Sequence, residues 1–234
     1  MRDVKRPKWR SLKKLPLAKA LKVGFAEGAH GDRSNGMCVM EVAAWVAGEP
    51  HSDHPQCVSK VIGAFMRNWN DSLSSVAERK RLLGPLLKPI LKTAAGDAVE
   101  ERRARMCDDW MVRTFTPAWL ELAGLKDEAA SLRALPELTT TQACVDAMPR
   151  IDVARAKAAA AWAAAWAAAW NAVRATARAA AWDAARDAAW DVARAAAWDA
   201  ALAAAVGAVS STTKKLQKSA QQLVLAMCKV KDSK

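Results

Sequence analysis

From Ile151 to about Val209 the chain is built largely from alanine, which supplies 27 of the 50 residues between 151 and 200, and six of its eleven tryptophans are set into that stretch. Alanine is the strongest helix former, and no proline and no glycine interrupt the segment before Gly207. Helix is therefore the only regular structure open to it. A straight helix over residues 151–209 would span roughly 90 Å, whereas a compact chain of this length is roughly 45 Å across. The segment must bend or project. Asn171–Thr176, where the apolar face changes direction and two weak helix formers sit, is the expected place for a kink; the alternative is one long helix gripped along both halves.

Tryptophan spacing divides the segment. Trp162, Trp166 and Trp170 recur every four residues and share a sector of about 80°, opposite Lys157, Asn171, Arg174 and Arg178, so they are expected to be buried. Trp182, Trp190 and Trp198 recur every eight and border a side carrying Asp183, Arg186, Asp187, Asp191 and Arg194. Packing explains all six; the sharper reading makes Trp182, Arg186, Trp190, Arg194 and Trp198 a partner-binding face, because an indole four residues from a guanidinium can stack on it.

The rest of the chain reads as all-α, a multi-helix bundle with flexible basic ends. Four blocks are expected: a basic arm at 1–23, a helical domain at 24–148, an Ala/Trp-rich helix or helical hairpin packed on it at 149–209, and a basic tail at 210–234. Helices are expected from Met37 to Ala47, closed by Gly48; from an Asp53-His54-Pro55-Gln56 start to Trp69, burying Val58, Val61, Ile62, Phe65 and Trp69; from Ser75-Val76-Ala77-Glu78 onward, kinked at Pro85 and Pro89; and from Asp97 to Phe115. A short helix from Thr116 ends at Gly124, and another spans Lys126–Leu135. Pro136 and the threonines at 139–141 mark a boundary before Gln142–Ala147, and Pro149 precedes the alanine helix. Leu216, Leu223 and Leu225 allow one last amphipathic helix in the tail.

The net charge of +12 is uneven: residues 1–22 hold nine Lys/Arg and one Asp, 210–234 hold six Lys and one Asp, and the remainder sums to −1. In the N-terminal arm Trp9 lies among Lys5, Arg6, Lys8, Arg10, Lys13 and Lys14. Cations neutralise phosphates and an indole stacks on a base, so these residues, with Lys214 and Lys215, are the expected nucleic-acid contacts; a solvated tail is the bland alternative. The five cysteines, without paired spacing or a secretory leader, suit a reducing cytoplasm. The longest uncharged run, Ala158–Val173, is too short and alanine-rich for a membrane span, so no membrane partner is expected.

Two residue sets could carry chemistry. Asp53, His54 and Cys57, with Glu41, could form an oriented imidazole beside a thiol in a first helical turn, where the helix dipole favours thiolate; the bland reading is a helix cap with a small buried cysteine. Cys38, His51, His54 and Cys57 could in principle reach a tetrahedral metal site, although their spacing matches no standard zinc pattern. No phosphate loop, nucleophile elbow or paired CxxC occurs, and no cofactor is expected.

Residues 37–71, MCVMEVAAWVAGEPHSDHPQCVSKVIGAFMRNWND, together with the stretch from Asp109-Trp110 to Thr116-Pro117-Ala118-Trp119-Leu120 and the alanine-rich region, resemble a family of uncharacterised bacteriophage and actinobacterial proteins that also end in alanine-tryptophan helices. The resemblance covers most of the body, not the basic arms, and implies no activity. A looser similarity of these helices to proposed immunity proteins is one of composition only. The reading reached is a phage-like accessory protein that binds rather than turns over, with nucleic acid as first partner. A protein-protein adaptor of anti-defence or immunity type and an enzyme centred on Asp53, His54 and Cys57 are the alternatives.

Overall fold

A computed structural model describes the backbone of residues 13–182 and 188–231, and the side chains of 13–164 and 207–231. Among the described residues every regular element is helical: α1 (Leu17–Ala20), α2 (Val39–Ala47), α3 (Lys60–Ser72), α4 (Val76–Leu83), α5 (Leu87–Ile90), α6 (Asp97–Trp110), α7 (Thr116–Leu122), α8 (Lys126–Arg133), α9 (Thr141–Trp182) and α10 (Ala188–Lys229). A 3₁₀ turn at Gly84–Leu86 joins α4 to α5, and a π-helical turn at Met111–Phe115 joins α6 to α7. The chain forms two compact units, Met1–Cys107 with Gln217–Lys234, and Asp108–Leu216. The sequence blocks are cut differently.

In the first unit α2 buries every residue from Val39 to Ala44, and Gly48 ends it in the left-handed conformation at φ 76°, which glycine adopts without a Cβ penalty. The helix α3 starts at Lys60, not at Asp53. Ser59 is its cap, its hydroxyl accepting from the Ile62 N–H. Asp53 instead faces His54 and Arg67, and the Gln56 N–H donates to Glu49 rather than Gln56 capping a helix. The buried residues of α3 are Ile62, Gly63, Met66 and Asn70; Val58 is buried ahead of the helix, and Val61, Phe65 and Trp69 are half-buried. Ser75 caps α4 through the Glu78 N–H at 3.2 Å. Leu82, Leu83, Leu86, Leu87 and Ile90 are buried across the expected bends at Pro85 and Pro89.

The expected C-terminal tail is the last part of α10. From Gln217 it buries Ala220, Leu223, Val224 and Met227, spaced at three and four residues; each large side chain fully buried contributes about 1.5–3 kcal/mol. Leu225, off that stripe, is exposed. Arg103, itself 2% exposed, closes the helix end: Nε donates to the Met227 carbonyl at 3.0 Å, Nη2 to the Val230 carbonyl at 3.1 Å, and Nη1 to the Thr93 carbonyl at 2.7 Å and to Glu100 at 2.9 Å. A cation bonded to the last carbonyls of a helix satisfies groups that have no partner within it. Gln217 Nε2 donates to Glu78 and Gln221 Nε2 to the Leu82 carbonyl, both across 139 residues of sequence.

In the second unit, Leu120, Leu132, Leu135 and Leu138 pack with Ala129, Ala147 and Ala154, and Ile151 and Ala158 extend the stripe along α9. Small side chains on that stripe allow close helix approach. Pro149 lies inside α9 instead of before it, exposed, so one 42-residue helix joins the expected Gln142–Ala147 helix to the alanine segment. The helix continues as such through Asn171–Thr176, the expected kink, and the next element begins at Ala188. Trp162 corrects the burial expectation: it is 73% exposed. The residues that pack on α9 in this core are met by positions up to Ala158. Periodicity defines a face, but burial needs a neighbour. The side chains of Trp166 and Trp170 lie outside those described.

Candidate functional site

The sequence-predicted site residues fall into separate places. Glu41, 1% exposed, sits at the N-terminal turn of α2 and receives the backbone N–H of His30 at 2.6 Å and of Cys38 at 2.7 Å. Two imidazoles flank it: His30 Nδ1 lies 2.9 Å from Oε2, and His51 Nε2 lies 3.4 Å from Oε1 and 2.9 Å from the His30 carbonyl. The carbonyl can only accept, so Nε2 of His51 carries the proton, and its buried Nδ1 has no partner. A carboxylate removed from water persists when hydrogen bonds satisfy it. Glu41 thereby fastens the 24–36 loop and the 48–59 connector to α2; the structure gives it His30 and His51 as partners, not His54.

Among the described residues no hydrogen bond joins Cys57 to His54. The Cys57 thiol is pushed up to about 12, first by burial and then by the adjacent Glu49 carboxylate. Glu49, 3% exposed, accepts the Gln56 N–H at 2.6 Å. A thiol held protonated is a poor nucleophile. Burial also pushes Cys38 up to about 12; it precedes α2, which starts at Val39 and not at the expected Met37, and forms a capping box with Glu41. Among the described residues no three His, Cys, Asp or Glu side chains are disposed to hold a metal ion, so Cys38, His51, His54 and Cys57 are not gathered into the tetrahedral set considered from sequence. The expected helix dipole at Cys57 is missing because α3 begins at Lys60.

His54 does stand at a cavity. Its Nδ1 is 2.6 Å from Asp53 Oδ1, its ring is 68% exposed, and Arg67 Nη1 donates to the Asp53 carbonyl at 3.0 Å. The cavity beside it has a volume of about 490 Å³, with Met40, Val58, Gly63, Ala94 and Ala95 among its lining residues, and Lys60, Arg67 and Glu100 as its charged ones. Glu100 is already engaged: Oε2 accepts the Ser59 hydroxyl at 2.7 Å and the Val61 N–H at 3.0 Å, and Oε1 accepts from Arg103. It occupies the N-terminus of α3, where backbone N–H groups favour an anion.

Sequence reasoning missed Lys60, Gly63, Arg67 and Glu100. One local signal pointed there, the glycine at position 63 inside a helix, which costs about 0.5–1 kcal/mol relative to alanine.

Of the expected nucleic-acid contacts, Lys13, Lys14, Lys214 and Lys215 are exposed, while Lys5, Arg6, Lys8, Trp9 and Arg10 lie outside the described residues. The expected partner-binding face of Trp182, Arg186, Trp190, Arg194 and Trp198 lies outside the described side chains. No described helix is long and apolar enough to cross a membrane.

Charge separates the two units. The first carries 24 Lys/Arg against 12 Asp/Glu, and the second carries 12 against 12. The whole net charge of +12 thus belongs to one unit. Its carboxylates at Glu41, Glu49 and Glu100 face inward onto protein donors, and two of its cations, Arg79 and Arg103, are buried as well. Lys13, Lys14, Lys19, Lys22, Lys218 and Lys229 are exposed. Comparison with family models, curated proteins and solved structures finds no match to the chain.

Proposed function

We propose that the protein is an accessory binding protein whose first unit holds a polyanion, with nucleic acid the partner. The observation that carries this reading is the charge division: the second unit is neutral, and the first holds the entire excess of +12. Docking of residues 217–229 into the first unit adds exposed Lys218 and Lys229 to the unit that contains the N-terminal cations. Such a surface neutralises phosphates and releases condensed counterions on binding. Binding rather than turnover is favoured because the Cys57 thiol is held protonated and the His54 ring is paired with Asp53.

The test is a salt titration of the full chain on single- and double-stranded DNA and RNA. The observed constant should fall with a log-log slope of about −0.7 to −0.9 per neutralised phosphate. Affinity independent of salt, or equal for a neutral polymer of the same length, would remove the reading.

A further inference from the structure

We propose that the cavity beside His54 is a binding site for a small organic anion, a phosphate monoester or carboxylate carried on a compact apolar body. This is a second activity, independent of polyanion binding. The volume of about 490 Å³ lies within the roughly 300–1,000 Å³ range of small-molecule sites. Its apolar lining comes from Met40, Val58, Ala94 and Ala95, with Gly63 leaving the α3 wall bare. A Cβ at Gly63 would meet Arg67 Nη1 at 3.4 Å and the Met40 Cε at 3.5 Å, ordinary contact distances. Alanine would therefore fit at this helical position, and glycine keeps room instead of avoiding a clash.

The sign of the ligand follows from which polar groups are still uncommitted. Glu100, the carboxylate of the lining, accepts from Ser59, Val61 and Arg103. Asp53 holds Nδ1 of His54 and thereby fixes the ring, and among the described residues Nε2 has no partner. Arg67 uses Nη1 on the Asp53 carbonyl, with Nε 3.9 Å from Oδ2, and leaves Nη2. The Lys60 ammonium is exposed and, among the described residues, has no hydrogen-bond or ion-pair partner. The Lys60 ammonium, a guanidinium already paired with Asp53 and an imidazole nitrogen thus meet an apolar wall. Such a site is complementary to an anionic head on a compact apolar group. The planar guanidinium of Arg67 and the point charge of Lys60 suit a carboxylate or phosphate oxygen set.

The probes are phenyl phosphate, benzoate, neutral benzyl alcohol and inorganic phosphate, titrated into the full chain and followed by calorimetry and by the methyl signals of Met40 and Val58. Phenyl phosphate or benzoate should bind and shift those methyls, and benzyl alcohol should bind about tenfold or more weakly, the equivalent of one charge-assisted hydrogen bond. Lys60→Gln and His54→Gln, both at exposed side chains, should each weaken the preferred anion by about tenfold while changing benzyl alcohol by less than about twofold. A 5′-phosphorylated dinucleotide in competition separates two sources of the same chemistry: displacement assigns the anion to the end of a strand, and no displacement assigns it to a free small molecule. Equal binding of phenyl phosphate, benzoate and benzyl alcohol, shifts elsewhere than Met40 and Val58, or no binding by any probe would overturn the proposal. None of these results depends on the salt titration of nucleic-acid binding.

Discussion

The first unit buries charged side chains, and the second buries leucine and alanine. Of the eight polar or charged residues buried among the described ones, seven are in the first unit and Glu128 alone is in the second. Where a core is made of small apolar side chains on α9, the chain needs only periodicity to assemble it. Where Glu41, Glu49, Asn70, Arg79 and Arg103 lie inside, each must find specific partners or unfold the region that holds it. The difference teaches that the first unit carries chemical specificity at a cost in robustness, and the same unit carries the net charge and the cavity. Four expected outcomes break or sharpen that contrast.

The largest concerns reactivity. With its thiol raised from an ordinary 9.0 to about 12 by burial and then by Glu49, Cys57 should alkylate roughly a thousandfold more slowly at pH 8 in the folded chain than in urea. Because the folded value is the higher one, the native rate should keep climbing with pH toward 12. Peptide mapping after a timed iodoacetamide pulse reads this, and fast native labelling would show that the thiol is neither buried nor repelled by Glu49.

Arg103→Leu comes next. It should cost about 3–5 kcal/mol in denaturant unfolding, since it strips partners from Glu100 and from the carbonyls at the end of α10. By contrast, Leu132→Ala in the second unit should cost about 2–5 kcal/mol through a cavity alone. Arg103→Leu should also make residues 217–229 exchange amide protons faster, whereas Leu132→Ala should not. Equal protection of that segment in both variants would contradict the role given to Arg103.

The smallest is at Trp162. At 73% exposure its truncation to alanine should alter stability by no more than about 0.5 kcal/mol. Acrylamide should quench it freely. A loss of several kcal/mol would mean that the α9 face continues as core beyond Ala158.

Local signals in the sequence were sufficient where structure is decided locally. Ser75 and Glu78 mark a helix start within four residues, Gly48 and Gly124 mark ends by their left-handed backbone, and Pro85 and Pro89 bend a leucine-rich helix. Long-range pairing was not legible. Glu100 reaches the α3 start across 41 residues to displace the helix start expected at Asp53, and Arg103 reaches Met227 across 124. Nothing in a sequence reading links them. The tail was read as basic with one amphipathic helix through Leu216, Leu223 and Leu225, whereas the stripe that docks it is Ala220, Leu223, Val224 and Met227. The coupling of His54 to Cys57 rested on three residues of spacing, which imply a shared face only where a helix has begun, and α3 begins at Lys60.

The most direct test of the charge contrast neutralises three exposed cations in each unit of the full chain and compares nucleic-acid affinity. One variant carries Lys13→Gln, Lys218→Gln and Lys229→Gln; the other carries Lys126→Gln, Arg150→Gln and Arg155→Gln, all six residues being exposed. The account predicts that the first variant loses affinity and that its log-log salt slope shrinks by about 0.9 for each duplex phosphate contact removed, while the second keeps the wild-type slope. Equal losses in the two variants, or a loss confined to the second, would contradict it.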